Sequence, residues 1–70
     1  MEQEIIKIVA ELAEREPGEI GADFVFTETD RWSSLLQLVL ISTVEERFSV
    51  EIPLEDIPEI HTPGDLLTYL

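Results

Sequence analysis

The sequence predicts an all-α fold with three principal helices, one short helix and a long first loop. Two segments place apolar residues at the three- and four-residue spacing of an amphipathic helix. A third segment begins with Thr62-Pro63-Gly64-Asp65, which is typical of a helix N-terminus. At 70 residues the chain has room for one domain, which we expect to span residues 1–70.

The first helix is predicted over Glu2–Glu16. Its apolar residues recur on one face, with two more beside them: Ile5, Ile8, Val9 and Leu12, flanked by Ile6 and Ala13. Pro17-Gly18 is expected to end the helix, because proline cannot continue the backbone hydrogen bonding.

A loop without helical periodicity is predicted over Glu19–Arg31. A long loop in so small a domain needs apolar anchors, and Ile20 with one or both of Phe24 and Phe26 are the candidates. Alternating residues from Phe24 leave a short strand open, although no partner strand is evident. Trp32 is interpreted as a hydrophobic lid that joins the loop to the helices.

The second helix is predicted from Ser33 or Ser34 to Phe48, with either serine hydroxyl available as the N-cap. A helix packed on one side needs only one apolar stripe. Here the apolar residues extend much further around the helix: Leu35, Leu36, Leu38, Val39, Leu40, Ile41, Val44 and Phe48. Part of this surface is therefore either covered by the loop or presented to a partner.

The remaining chain is predicted as an extended link, a short helix and a final helix. The link covers Ser49–Pro53, and the short helix covers Leu54–Ile60 with Pro58 inside it. The last helix is expected over Asp65–Leu70, with Thr62 as its N-cap.

Composition excludes several classes of function. Sixteen acidic residues against four basic ones give a net charge of −12, so nucleic acid and anionic membrane surfaces would be repelled. The charge fits docking of basic partners, and it equally fits simple solubility. With no cysteine and one histidine, His61, the chain has neither a disulfide nor the residues of a common metal site.

The sequence gives no sign of a membrane span or a secretion signal. Its longest apolar run, Leu38–Ile41, is far shorter than the ~20 residues that a span requires. The opening Met-Glu-Gln-Glu lacks a charged-then-apolar signal pattern. We therefore expect a monomer in the cytoplasm.

Catalysis by the chain itself is not expected. Paired carboxylates for acid–base chemistry must share a pocket. Glu45 and Glu46 are adjacent on a helix and point to different faces. The sequence predicts a protein that is not an enzyme.

Three motifs at fixed spacing carry a family resemblance. They are Trp32-Ser33-Ser34-Leu35, Glu45-Glu46-Arg47-Phe48 and Val50-Glu51-Ile52-Pro53. Together they resemble the second helix of acyl carrier proteins and the link after it. The resemblance implies an acyl-carrier-like four-helix bundle with a long first loop.

The resemblance also implies a cofactor and the residue that holds it. Acyl carrier proteins bear a covalent phosphopantetheine on a serine, and its thiol holds acyl groups as thioesters. The family's spacing back from Phe48 selects Ser34. A phosphate there would face the free N–H groups and the positive end of the helix dipole. The aspartate that the family places before this serine is Ser33 here.

The implied partners are a phosphopantetheinyl transferase and acyl-loading and acyl-transferring enzymes with basic docking surfaces. We expect Leu36 and Val39, with Glu45 and Glu46, to form the docking surface. Positions expected to face inward or lie under the loop are Leu35, Leu38, Ile41, Val44 and Phe48. Two alternatives stay open: the loop covers Leu36 and Val39 through Phe24 or Phe26, or the chain is an unmodified interaction module that docks through the second helix.

Overall fold

The computed structural model describes residues 1–70 and contains only helices and connecting segments. Three α-helices cover Glu2–Ala13 (α1), Ser34–Phe48 (α2) and Pro63–Leu67 (α3). The fourth helix, Leu54–Glu59, is a 3₁₀ helix and is called the 3₁₀ segment below. The predicted all-α, acyl-carrier-like bundle with its long first loop is confirmed. No helix combines the length and the apolar character needed to cross a membrane.

The end of α1 was predicted three residues too late. Glu14 takes a left-handed backbone conformation (φ 57°, ψ 48°), and the Arg15 N–H donates to the Ala10 carbonyl at 2.9 Å. The Glu14 N–H also donates, to the Glu11 carbonyl at 3.3 Å. These two bonds form a Schellman motif, which satisfies the last carbonyls before Pro17 is reached.

The long loop is anchored where the sequence predicted. Ile20 and Phe26 are buried, and Phe24 is half-buried. No strand forms from Phe24. The connection between α1 and α2 instead contains two 3₁₀ turns, Pro17–Glu19 leading into the predicted loop and Phe26–Glu28 within it.

Trp32 joins the end of the loop to the bundle, as predicted. Its ring packs against Phe26 with centroids 4.7 Å apart. Arg31, the residue before Trp32, is tied to the end of α1, since its Nε donates to the Leu12 carbonyl at 3.3 Å. Its Nη2 also lies 3.1 Å from Glu14 Oε2 in an exposed ion pair, which adds little. The chain therefore reaches the start of α2 along a constrained path.

The C-terminal helix begins earlier and ends earlier than predicted. Thr62 caps α3 and shares a capping box with Asp65, as the sequence indicated. The helix starts at Pro63 because proline is well accommodated in the first turn. After Leu67 the chain tightens into 3₁₀-type bonds, with the Leu70 N–H donating to the Leu67 carbonyl at 3.2 Å.

Gly64 ties the loop to α3 by a close backbone approach. Its N–H donates to the Ala22 carbonyl at 2.8 Å. A Cβ at this position would lie 2.9 Å from the same oxygen. Any larger residue would push the loop away from α3.

The helix α1 supplies more residues to the core than any other element, and the rest come from the loop, α2, the link after it, Ile60 and α3. Phe26 is fully buried at the junction of loop and helices. The buried apolar residues that form one cluster are Ile5, Ile6, Ile8, Val9, Ala10, Ile20, Phe26, Leu40, Ile41, Val44, Ile52, Ile60 and Leu66. This cluster positions the start of α2 at the surface.

Candidate attachment site

The two serines at the start of α2 have different roles. Ser33 has an extended backbone and is the N-cap: its Oγ accepts a hydrogen bond from the Leu36 N–H at 3.3 Å. Ser34 is the first helical residue, is exposed, and its hydroxyl makes no hydrogen bond. The hydroxyl of Ser34 is thus the one left free for chemistry, and the alternative in which Ser34 merely caps the helix is not favoured.

The start of α2 offers donors for an anionic group. The N–H groups of Ser34 and Leu35 have no acceptor within the chain. Unpaired N–H groups and the helix dipole favour negative charge at this end. No acidic residue lies in the first turn of α2. These residues fit the phosphate of a phosphopantetheine held by the Ser34 oxygen.

A shallow groove of about 260 Å³ adjoins Ser34. It lies between α2 and the 3₁₀ segment and is lined by Ser34, Gln37, Leu38, Ile57 and Pro58. One wall also contacts the loop, because the Trp32 indole N–H donates to Gln37 Oε1 at 2.8 Å. The attachment position is therefore bordered by three separate parts of the chain.

The outward face of α2 differs from the one predicted. Leu35 and Leu38, expected to face inward or lie under the loop, are 70% and 55% exposed. Of the predicted docking pair, Val39 is 38% exposed, but Leu36 is half-buried. The expectation that Leu36 is outward and Leu35 and Leu38 are covered was wrong.

Helical spacing explains this correction. Leu36 precedes the buried Leu40 and Val44 by four and eight residues, so it lies on their face. Leu35, Leu38 and Val39, at spacings of three and four, lie on the opposite face. We call these three residues the outer apolar face. Extending the four-residue spacing back from the inner positions would have identified it from the sequence.

The two glutamates predicted for docking have different surroundings. Glu45 is half-buried, and its Oε2 accepts a hydrogen bond from the Ile52 N–H at 2.8 Å. This bond holds the extended link after α2. Glu46 is exposed. Glu45 thus has a structural role, and docking by either residue stays a prediction.

The largest surface depression lies away from Ser34. It has a volume of about 510 Å³, lies between α1 and α2, and shares no lining residue with the Ser34 groove. Most of its lining is polar or charged, including Lys7 and Arg47. Its size alone does not make it a site, and the free hydroxyl and donors are at the start of α2.

Two ionisable groups near the chain's C-terminus are tied to backbone or side-chain partners. The His61 N–H donates to Asp65 Oδ2 at 2.8 Å and is the main cause that lowers the pKa of Asp65. The Tyr69 hydroxyl donates to Asp56 Oδ2 at 2.9 Å, which raises the pKa of Tyr69. Both bonds stabilise the C-terminal region, and neither involves the Ser34 hydroxyl.

Comparison with known proteins agrees with this geometry. The family model described as phosphopantetheine attachment site matches residues 3–70. An acyl carrier protein of Kineococcus radiotolerans is 37% identical over 99% of this chain and 90% of its own length. An acyl carrier protein of Chlamydia caviae is 31% identical over 100% of this chain and 91% of its own length. A meromycolate extension acyl carrier protein of Mycobacterium leprae is 33% identical over 99% of this chain and 64% of its own length.

Proposed function

Since this chain belongs to the phosphopantetheine-bearing family of acyl carrier proteins, we propose that Ser34 is the residue that carries its prosthetic group. The observation that supports this choice is that the two serines have different contacts. Ser33 caps α2, whereas the Ser34 hydroxyl is exposed and makes no hydrogen bond. The bound group supplies a thiol at the end of a flexible arm, on which acyl groups are held as thioesters.

Attachment requires a transferase and coenzyme A. The Ser34 oxygen forms a phosphodiester with the phosphopantetheine phosphate, its proton passes to a base of the transferase, and the bond to the adenosine bisphosphate portion breaks. The Ser34 and Leu35 N–H groups lie at the helix end that favours the resulting negative charge. Ser33 supports this arrangement by holding the first turn of α2 in register.

The outer apolar face is proposed as the docking surface for acyl-loading and acyl-transferring enzymes. Leu35, Leu38 and Val39 are exposed directly after Ser34, and the exposed Glu46 lies two turns further on. A partner that fits this surface has an apolar centre and a basic rim, because the chain carries a charge of −12. Leu36 is half-buried on the side of Leu40 and Val44, so it borders this surface, and its part in docking stays a prediction from the sequence. A monomer located in the cytoplasm stays a prediction from the sequence.

Two serine variants test the attachment site. The wild-type protein, Ser34→Ala and Ser33→Ala are each incubated with coenzyme A and a broad-specificity phosphopantetheinyl transferase, and intact masses are measured. We expect one phosphopantetheine on the wild type and on Ser33→Ala, and none on Ser34→Ala. A modified Ser34→Ala protein would place the attachment at another residue.

Ser33→Asp tests the departure from the family's motif. Aspartate also caps a helix N-terminus, so α2 should be retained. It restores the acid that the family presents before its serine, and we expect a faster modification rate. A rate equal to or below that of the wild type would show that the transferase does not read this position.

A further inference from the structure

The Gln37 side chain joins three parts of the chain with one amide group. Its Oε1 accepts from the Trp32 indole N–H at 2.8 Å. Its Nε2 donates to the Ile57 carbonyl at 2.9 Å and to the Ile60 carbonyl at 3.0 Å. Both amide hydrogens are used, and the oxygen receives the only indole N–H in the chain.

The two bonds from Gln37 Nε2 are the only hydrogen bonds between α2 and the stretch Leu54–Ile60, which is the 3₁₀ segment with the residue that ends it. No backbone hydrogen bond joins the two elements, and no other side chain of α2 bonds to Leu54–Ile60. The segment holds itself together through 3₁₀-type bonds, such as the Ile60 N–H to the Ile57 carbonyl at 3.2 Å. The Tyr69 hydroxyl holds it to the region after α3 through Asp56. Its position against α2 therefore depends on Gln37 and on apolar contact with the core.

The position of the segment matters because it borders the attachment residue. Ile57 and Pro58 form one side of the groove, and Ser34 and Leu38 form the other. Gln37 lies one helical turn after Ser34 and lines the same groove. An enzyme that contacts this groove while it acts on Ser34 meets α2 and the 3₁₀ segment together.

We propose that Gln37 is a positioning residue that fixes the 3₁₀ segment against α2, so that the two elements present one preformed surface around Ser34. The inference rests on Ser34 as the attachment residue. Through Trp32, the same amide also fixes the end of the long loop. An enzyme that modifies Ser34 then binds without first ordering these three elements, which lowers its KM.

The chain offers a set of variants that separate these bonds. Gln37→Glu keeps an oxygen for the Trp32 indole N–H but removes both donors to the carbonyls of Ile57 and Ile60. Gln37→Met keeps a side chain of similar length and removes all three bonds. Gln3→Glu is the matched control for charge, because Gln3 is exposed on α1 and makes no side-chain hydrogen bond.

Two physical measurements follow the bonds in the unmodified protein. In Gln37→Glu and Gln37→Met, hydrogen exchange of the Asp56 and Ile60 amides should become about tenfold faster. This is the change expected when opening of the segment no longer has to break about one hydrogen bond. The Trp32 indole N–H resonance should stay near its wild-type position in Gln37→Glu and shift in Gln37→Met. Gln3→Glu should match the wild type in both measurements.

The kinetic test uses a phosphopantetheinyl transferase with coenzyme A at saturation and the carrier as the varied substrate. Gln37→Glu and Gln37→Met should raise the KM for the carrier about fivefold, with kcat within about twofold of the wild type. A loss of folded protein would instead lower the active concentration, which circular dichroism measures for each variant.

The outcomes separate this inference from the proposed attachment site. Faster exchange of the segment together with a raised KM supports the positioning role. Wild-type exchange in both Gln37 variants, or a wild-type KM despite faster exchange, overturns it and leaves Ser34 as the attachment residue. A wild-type protein that is not modified at Ser34 overturns the proposed site, and the exchange data then still decide whether Gln37 holds the segment.

Discussion

The helices α1 and α2 are both rich in apolar residues but contribute differently to the core. Six of the twelve residues of α1 are buried, against three of the fifteen residues of α2. The remaining apolar surface of α2 includes Leu35 and Leu38, which are more than half exposed. The apolar content of a helix therefore does not measure its contribution to stability, and the surplus on α2 lies beside the attachment residue.

The largest effect should come from truncating an inner residue of each helix. Ile5 on α1 and Leu40 on α2 are fully buried, so Ile5→Ala and Leu40→Ala should each destabilise the protein by about 2–5 kcal/mol. Thermal or urea unfolding measures this. Leu38→Ala is the control on the same helix and should change stability far less. An equal loss for Leu38→Ala and Leu40→Ala would show that α2 has no separate outer face.

The start of α2 provides a second, smaller contrast. Ser33→Ala removes the N-cap hydroxyl and should cost about 1 kcal/mol. Ser34→Ala removes an exposed hydroxyl without a partner, so it should leave the unfolding free energy nearly unchanged. Urea unfolding of the two unmodified variants checks this. If Ser34→Ala were the more destabilising change, Ser34 would be the cap.

Acid should weaken the C-terminal end of the bundle through Asp65. Hydrogen bonds from the His61 and Thr62 N–H groups lower the pKa of Asp65 in the folded protein. A lowered folded pKa means that the stabilising contribution is present above the unfolded value, near 4, and is lost as the pH falls through the folded value.

The variant Asp65→Asn measures that contribution. Its melting temperature should lie below that of the wild type at pH 7, and the difference should shrink as the pH falls below about 4 and through the lowered folded pKa of Asp65. A difference independent of pH would mean that the charge of Asp65 does not contribute.

The smallest effect on stability, and the most informative for docking, should come from the outer apolar face. Leu35→Gln and Leu38→Gln should each change the unfolding free energy by no more than about 0.5 kcal/mol. The KM of an acyl-transferring partner for the loaded carrier should nevertheless rise. A large fall in melting temperature would mean that the loop covers these residues, and an unchanged KM would remove them from the docking surface.

The helices of the fold could be predicted from the sequence because apolar spacing and capping residues, which specify them, are local features of the chain. The sequence predicted the end of α2 at Phe48 and its start at either Ser33 or Ser34, and the structure has Ser34–Phe48. The capping pattern around Thr62 located the start of α3 within two residues. The end of α1 could not be predicted from the sequence. The helix ends at Glu14 in a left-handed backbone conformation, which usually requires glycine, so the residue type gives no signal of it. Local patterns thus fixed where helices begin more reliably than where they end.

The candidate site was accessible only in part. Family spacing selected Ser34, but the sequence could not show which serine caps α2, since both hydroxyls suit that position. Gln37 was missed because its three partners lie up to 23 residues away along the chain, and no local pattern brings them together. The orientation of Leu35 and Leu38 was missed because the apolar residues of α2 were assigned to faces without following the spacing of the buried ones.

The left-handed residues at the ends of α1 and α2 make this carrier readily improvable by engineering. Glu14 and Ser49 have φ of 57° and 56°, a conformation in which a residue other than glycine is strained by roughly 1 kcal/mol. Neither lines the groove beside Ser34, and the ion pair of Glu14 with Arg31 is exposed and worth little. Glycine at both positions would therefore raise the free energy of unfolding. The added stability would offset destabilising substitutions made when the outer apolar face is redesigned to bind other enzymes.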